Sequence, residues 1–318
     1  MINKNSKIFL AGHQGLVGSA IYRKLISKGF KNIIIKSRKE LDLLDQAKVI
    51  NFLKKKKPKF IFIAAAKVGG IHANNTFKGQ FIYENIQIQT NLIHGAYLAG
   101  INDLIFLGSS CVYPKKCKQP IKESYLLSDY LEKTNDAYAI AKIAGIKMCE
   151  SYNEEYKTNY KCLMPTNTFG PNDNYDPKNS HFVPALIRKV YETKKFNRSS
   201  IKLWGNGTAK REVIYVDDLA EACVYFMKKK IRGNILNIGT GKDFTIKQYL
   251  NILLKISGIK KTKILFDRSK PNGTPRKVLD ISLAKKHGWK AKFDLRDSLE
   301  LAFNAYSELR KNKIKKKI

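Results

Sequence analysis

Short apolar runs alternate with longer stretches of helical periodicity through the first half of the chain. The runs at residues 7–10, 32–36, 60–64, 104–107 and 160–164 are four or five residues long and read as buried strands. Between them, residues 16–28, 45–55, 81–99 and 138–156 carry helical patterns. This alternation predicts an α/β fold: a Rossmann-type doubly wound parallel sheet, helices on both faces, and a ligand at the carboxyl ends of the strands. After Met164-Pro165 the pattern breaks, and Pro171, Pro177 and Pro184 predict loops over a cleft. Residues 214–227 and 235–238 return to strand and helix and are expected to rejoin the sheet, whereas residues 245–318 read as a smaller, mainly helical unit. No internal repeat is visible, and low complexity is confined to the basic tail.

Composition narrows the class without naming a chemistry. A chain of 318 residues with 43% hydrophobic composition can bury a substantial core. No apolar stretch approaches the roughly 20 residues that span a bilayer, and the first residues lack a secretory h-region, so a cytoplasmic, membrane-free protein is expected. The five cysteines, Cys111, Cys117, Cys149, Cys162 and Cys223, are odd in number and contain no C-x-x-C pair. That argues against a disulfide framework or a zinc site and for free thiols in a reducing compartment. The net charge of +34 invites a nucleic-acid reading. The lysines are spread over the whole chain rather than gathered in a patch, however, and no nucleic-acid-binding motif accompanies them, so no nucleic-acid partner is expected. The excess charge would still concentrate small anions, nucleotides included.

Chemistry enters at three places. The first apolar run ends in Ala11-Gly12-His13-Gln14-Gly15-Leu16-Val17-Gly18, where the glycines permit a tight turn, close approach to a pyrophosphate and close helix packing. Further on, Ser109-Ser110-Cys111-Val112-Tyr113-Pro114 follows the fourth run and places a hydroxyl beside a thiol. Finally, Tyr138 and Lys142 lie four apart on one helix face, where a cation is expected to lower the tyrosine pKa toward neutrality and fit it for proton exchange with a carbonyl oxygen. Taken alone, that last spacing is a common accident of amphipathic helices. At the end of the second run Arg38 stands where an acidic residue would select NAD, which points to NADPH, although in so basic a chain a merely solvated arginine is the competing reading.

Together with Val68-Gly69-Gly70-Ile71, Met164-Pro165-Thr166-Asn167 and Asn179-Ser180-His181, these segments make the chain resemble the extended short-chain dehydrogenase/reductase superfamily nearly end to end. Within it, the combination of Cys111 with His181 resembles the branch that epimerises a GDP-4-keto-6-deoxy-sugar at C3 and C5 and reduces it at C4. The resemblance implies Cys111 as base, His181 as acid, and Tyr138, Lys142 and Ser109 serving the carbonyl oxygen. It implies an NADP(H) site formed by Gly12, His13, Gln14, Gly15, Leu16, Val17, Gly18, Arg38, Asp42, Leu43, Leu107, Gly108, Ser109, Ser110, Lys142, Pro165, Thr166, Asn167, Thr168 and His181. It further implies GDP-sugar contacts from Lys189, Trp204, Arg211 and Asn272. Residues 1–165 with about 212–238 would then form the NADP-binding domain, and about 166–211 with 239–318 the substrate domain.

A lone histidine is by default an ordinary imidazole, and the neighbours of His181 do not decide its role. Three positions depart from the pattern: Gln14 and Lys189 stand where arginines are usual, and Asn272 where an aspartate is usual. A related GDP-sugar 4-keto reductase or epimerase acting on a deoxy or heptose sugar therefore remains the alternative. The resemblance also implies a homodimer paired through the helices near residues 81–99 and 138–156.

Overall fold

In the computed structural model, residues 2–177, 179–231, 233–269 and 273–315 are described. The first half builds β1 (Ile8–Ala11), α1 (Leu16–Ser27), β2 (Ile33–Ile35), α2 (Gln46–Lys56), β3 (Phe60–Ile63), α3 (Ile71–Thr76), α4 (Lys78–Leu98), β4 (Asp103–Leu107), α5 (Asp136–Tyr156) and β5 (Asn159–Pro165). The second half continues with β6 (Asn167–Phe169), α6 (Phe182–Lys195), β7 (Ser200–Trp204), β8 (Lys210–Tyr215), α7 (Val216–Met227) and β9 (Ile235–Ile238). It ends with β10 (Asp243–Thr245), α8 (Ile246–Ser257), β11 (Lys263–Asp267), β12 (Arg276–Lys277), α9 (Ser282–Lys286) and α10 (Leu295–Lys315).

The main sheet is parallel throughout, in the order β2-β1-β3-β4-β5-β9. Side chains alternate across a strand, so Ile8 and Leu10 pack with α1 and α7 on one face, while Phe9 and Ala11 pack with α2, α4 and α5 on the other. Both faces are covered, which explains why these strands read as unbroken apolar runs. A third cluster joins α6, α8 and α10. Beside it lie a small sheet in which β8 pairs with β6, β10 and β12, and a two-stranded sheet of β7 and β11. Local signals set several ends: Asp45 caps α2 through the Lys48 N–H, and Thr245 with Gln248 forms a capping box on α8.

The region expected to be loops over a cleft contains α6. Its Pro184 is the third helical residue, within the first turn, where a missing N–H breaks no hydrogen bond. Val183, Leu186, Ile187 and Val190 follow the helical period and are buried, so that proline is compatible with a helix start and not a breaker. Helix α4 begins before residue 81 and α5 before residue 138, and the short strands of the second lobe are additions to the helical reading. Among the described residues, no helix is long and apolar enough to cross a membrane.

Candidate active site

The first glycine corner is shaped by close backbone approach. Gly12 takes φ +88°, and a Cβ there would stand 2.6 Å from the Ala65 nitrogen. A Cβ on Gly18 would overlap the Gly12 carbonyl oxygen. Gly15 donates to that same oxygen at 3.1 Å and caps α1 with no side chain in the way. The opening of α1 is thus a bare backbone cradle with unpaired N–H groups, a fit for a dinucleotide pyrophosphate. His13, Gln14, Leu16 and Val17 line the turn at partial or full exposure. Past the end of β2, Arg38 is mostly solvent-exposed and 3.9 Å from Asp42, free to turn toward a ribose phosphate. Leu43 lies beside them, its carbonyl held by Asn91.

Beyond β4, the backbone reaches Gly108 and Ser109, whose hydroxyl accepts from the Cys111 N–H at 3.2 Å and is hydrogen-bonded to the Tyr138 phenol. Buried Ser110 follows directly. Helix α5 carries Tyr138 and, one turn on, Lys142. The Lys142 ammonium is buried, donates to the Leu107 carbonyl at 2.8 Å and sits 4.6 Å from the Phe106 ring centroid. Burial pulls its pKa down to about 7. Burial pushes the Tyr138 phenol up, with the neighbouring Cys111 adding to the rise and Ser109 opposing it. The expected lowering of the tyrosine pKa is therefore reversed: desolvation outweighs a lysine whose charge is itself depressed and turned toward a carbonyl. Tyr138 is held as a neutral proton donor.

Cys111 is half-buried and its sulfur lies 3.9 Å from the Lys277 ammonium. Thiol and amine face a cavity of about 60 Å³, shared with Asn135, Thr274 and Arg276. Lys277, on β12, comes from 166 residues away in the chain. Its only sequence signal is the short Pro-Arg-Lys run at residues 275–277, which looks like any other basic stretch here. Asn135 is equally silent in the sequence, although its buried Oδ1 has no partner among the described residues.

His181 precedes α6 and keeps contact with solvent, but the protein around its ring lowers the imidazole pKa by desolvation. Its place is set by the glycines after β3. Gly70 donates to the Asn179 carbonyl at 2.8 Å, and a Cβ on Gly70 would come within 2.8 Å of the Ser180 oxygen. A Cβ on Gly69 would stand 3.3 Å from Phe81, whose ring meets Tyr138 edge-on at 6.4 Å. The Val68-Gly69-Gly70-Ile71 segment thus bridges the histidine loop to the tyrosine helix.

At the end of β5, Pro165 pairs with β9, while the Thr166 hydroxyl and the Asn167 amide both donate to the Glu212 carbonyl. Thr168 donates back to Thr166. These polar side chains brace the cleft floor. On the other lobe, Lys189 donates to the Lys202 carbonyl at 2.7 Å, Trp204 ends β7 with its ring exposed, and Arg211 is partly buried beside Gly273 and the Thr274 carbonyl. Asn272 falls outside the described residues. Among the described residues, no group of three or more His, Cys, Asp or Glu is placed to hold a metal.

Residues 8–239 match the model of the NAD dependent epimerase/dehydratase family. The chain is 49% identical to GDP-L-fucose synthase 1 of Arabidopsis thaliana, over 96% of this chain and 94% of that protein. It is 44% identical to the GDP-L-fucose synthase of Escherichia coli strain K12, over 95% and 97%. Its fold matches that of a GDP-mannoheptose C4 reductase from Campylobacter jejuni with NADP bound, at a TM-score of 0.89 and 35% identity, covering 96% of this chain and 100% of that one. With one family model spanning most of its length and full-length relatives at this identity, the chain belongs to the NAD dependent epimerase/dehydratase family.

Proposed function

We propose that the protein is an NADPH-dependent 3,5-epimerase and 4-reductase that converts GDP-4-keto-6-deoxy-D-mannose to GDP-L-fucose. The observation that carries this reading is the meeting of two chemistries at one cleft. A Ser109-bonded, proton-holding Tyr138 stands beside the Cys111 thiol, which has Lys277 at 3.9 Å. A simple reductase has no need of the second pair. Relatives named GDP-L-fucose synthase, at 44% and 49% identity, support the sugar assignment.

The C4 carbonyl of the substrate acidifies the hydrogens on C3 and C5, so a base can remove them once the enolate oxygen is stabilised. Cys111 serves as that base, with the Lys277 ammonium 3.9 Å from its sulfur. His181 returns a proton from the opposite face, which inverts the centre. Tyr138 and Ser109 hydrogen-bond the C4 oxygen throughout, and Tyr138 protonates it in the reduction. The backbone cradle of Gly12, Gly15 and Gly18 would hold the pyrophosphate of NADPH, Arg38 its extra phosphate and Lys142 its ribose. When bound, NADPH supplies the hydride for C4. Arg211 and Lys189 offer cations for the GDP diphosphate, and residues 166–211 with 239–318 act as the substrate-binding part. Exposed Tyr83, Leu98, Ile140 and Tyr156 on α4 and α5 support pairing of two copies through these helices.

Incubation with the GDP-keto-sugar in heavy water tests the reading. Without NADPH, deuterium should enter C3 and C5; with it, nicotinamide absorbance should fall as GDP-L-fucose accumulates. Reduction with no isotope uptake would remove the epimerase half.

A further inference from the structure

We propose that Glu212 and Gln119 are positioning residues for epimerisation, which clamp the segment after β12 from opposite sides and so set Lys277 against Cys111. This role presupposes Cys111 as the base of the proposed reaction.

Strand β12 is too short to place a lysine by itself. It consists of Arg276 and Lys277, paired with Lys210 and Arg211 of β8. Immediately beyond it, side chains take over from the backbone ladder. The Val278 N–H donates to Gln119 Oε1 at 2.9 Å, and the Leu279 N–H donates to Glu212 Oε2 at 2.8 Å. Consecutive N–H groups of an extended chain point to opposite sides, so an acceptor on each side fixes both the position of this stretch and its rotation about its own axis. On the Gln119 side the hold is extended by the backbone: Ile121 donates to the Val278 carbonyl and accepts from the Asp280 N–H, both at 2.8 Å.

Glu212 is the rigid half of the clamp. It is fully buried, and its Oε1 accepts from the Thr240 and Gly241 N–H groups, both at 2.6 Å. A Cβ on Gly239 would overlap that oxygen, so the turn after β9 is closed around the carboxyl group. The Glu212 main-chain carbonyl in turn accepts from Thr166 and Asn167 at the end of β5. One side chain thus ties the segment that follows Lys277 to the floor of the cleft. Three N–H donors converge on its two oxygens, an arrangement that suits a carboxylate and that an amide cannot reproduce. Burial raises the pKa to about 7, and the same N–H groups oppose the rise.

Gln119 is the outer half. It is half-buried on the wall of the cavity that Cys111 and Lys277 share, and its amide nitrogen lies 3.4 Å from the Cys117 carbonyl, which leaves the oxygen for Val278. Among the described residues, neither Glu212 nor Gln119 hydrogen-bonds Ser109, Tyr138 or Lys142. The clamp therefore bears on the carbon side of the chemistry and not on the carbonyl oxygen.

Two substitutions open the clamp separately. In Glu212→Gln, an amide whose oxygen faces Thr240 and Gly241 turns its NH₂ against the Leu279 N–H, and Gln119→Met removes the acceptor of Val278. In each, deuterium uptake at C3 and C5 of the GDP-keto-sugar should fall about five-fold, whereas kcat for nicotinamide oxidation should stay within about two-fold of the wild type. Added to Lys277→Met, neither should lower uptake further, because residues that act through one another are not additive. A purely structural role would lower both reactions together and would add to the effect of Lys277→Met. Either of those results, or wild-type uptake in both variants, would overturn the proposal. If Glu212→Gln does not fold, Gln119→Met, at a half-buried position, carries both readouts. Absence of uptake by the wild-type protein would instead overturn the reading of Cys111 as base, and this role with it.

Discussion

Ser109 follows β4, and Tyr138 and Lys142 stand on α5, which packs on the parallel sheet, whereas Cys111 and Lys277 meet only because the second lobe folds over the sheet, and His181 comes from the loop before α6. In the proposed reaction the first group serves one atom, the carbonyl oxygen, and can be built from a single rigid corner. In the proposed reaction the second must reach two faces of a sugar ring, which no single element can do, and its members are drawn from three segments. Burial differs in the same way. Lys142 is sealed beneath the sheet edge, while Cys111 is half-buried and His181 faces solvent. The proposal thereby gives reduction to a preformed part of the molecule and epimerisation to one that depends on how the two lobes meet.

That division is broken most directly by Tyr138→Phe. Loss of the proton donor should lower reduction by about 10³-fold, within the range of general acid catalysis, while deuterium uptake at C3 and C5 persists. If both activities fall together, the two groups are not separable. The converse, Cys111→Ala, should lower isotope uptake by roughly 10²-fold while nicotinamide oxidation continues on the unepimerised ketone. Exchange at the wild-type rate in that variant would exclude the thiol as base.

The same contrast governs which parts of the molecule are legible in the sequence. The sheet is legible because strands buried on both faces are apolar at most positions, and Gly12 and Gly18 are legible because the turn excludes a Cβ there. Tyr138 and Lys142 announce themselves by helical spacing. Lys277 does not, because its partner is 166 positions away and its type is the commonest charge in the chain. Helix α6 is hidden by Pro184, whose tolerance in a first turn is positional. The raised pKa of Tyr138 is hidden for another reason: spacing shows that a cation is near, but not that it is desolvated and bonded to Leu107.

Lys277→Met tests the dependence of epimerisation on the second lobe at a smaller scale. Loss of a cation 3.9 Å from the sulfur should slow isotope uptake about ten-fold and slow alkylation of Cys111 by iodoacetamide in parallel, because both reactions need the thiolate. Lys277→Arg should restore much of each. An alkylation rate that does not change would mean that the ammonium acts on the substrate alone.

A further effect is one of stability, and it assigns the two groups separate windows of pH. Lys142 carries a native pKa of about 7 against 10.5 for an ordinary lysine. Between those values the unfolded chain holds a proton that the native protein has released. Stability from this group therefore rises with pH across that window, by at most ~1.4 kcal/mol per pH unit, and its burden is complete below pH 7. His181 is also depressed, from 6.5, so its rise with pH is finished by about that value. In urea titrations, Lys142→Met should flatten the rise above pH 7 and leave the acid side unchanged, while His181→Gln should flatten only the rise below pH 6.5. If Lys142→Met leaves the alkaline slope as steep as in the wild type, the ammonium is not desolvated in the native state, and the contrast between a sealed oxygen side and an open carbon side loses its physical basis.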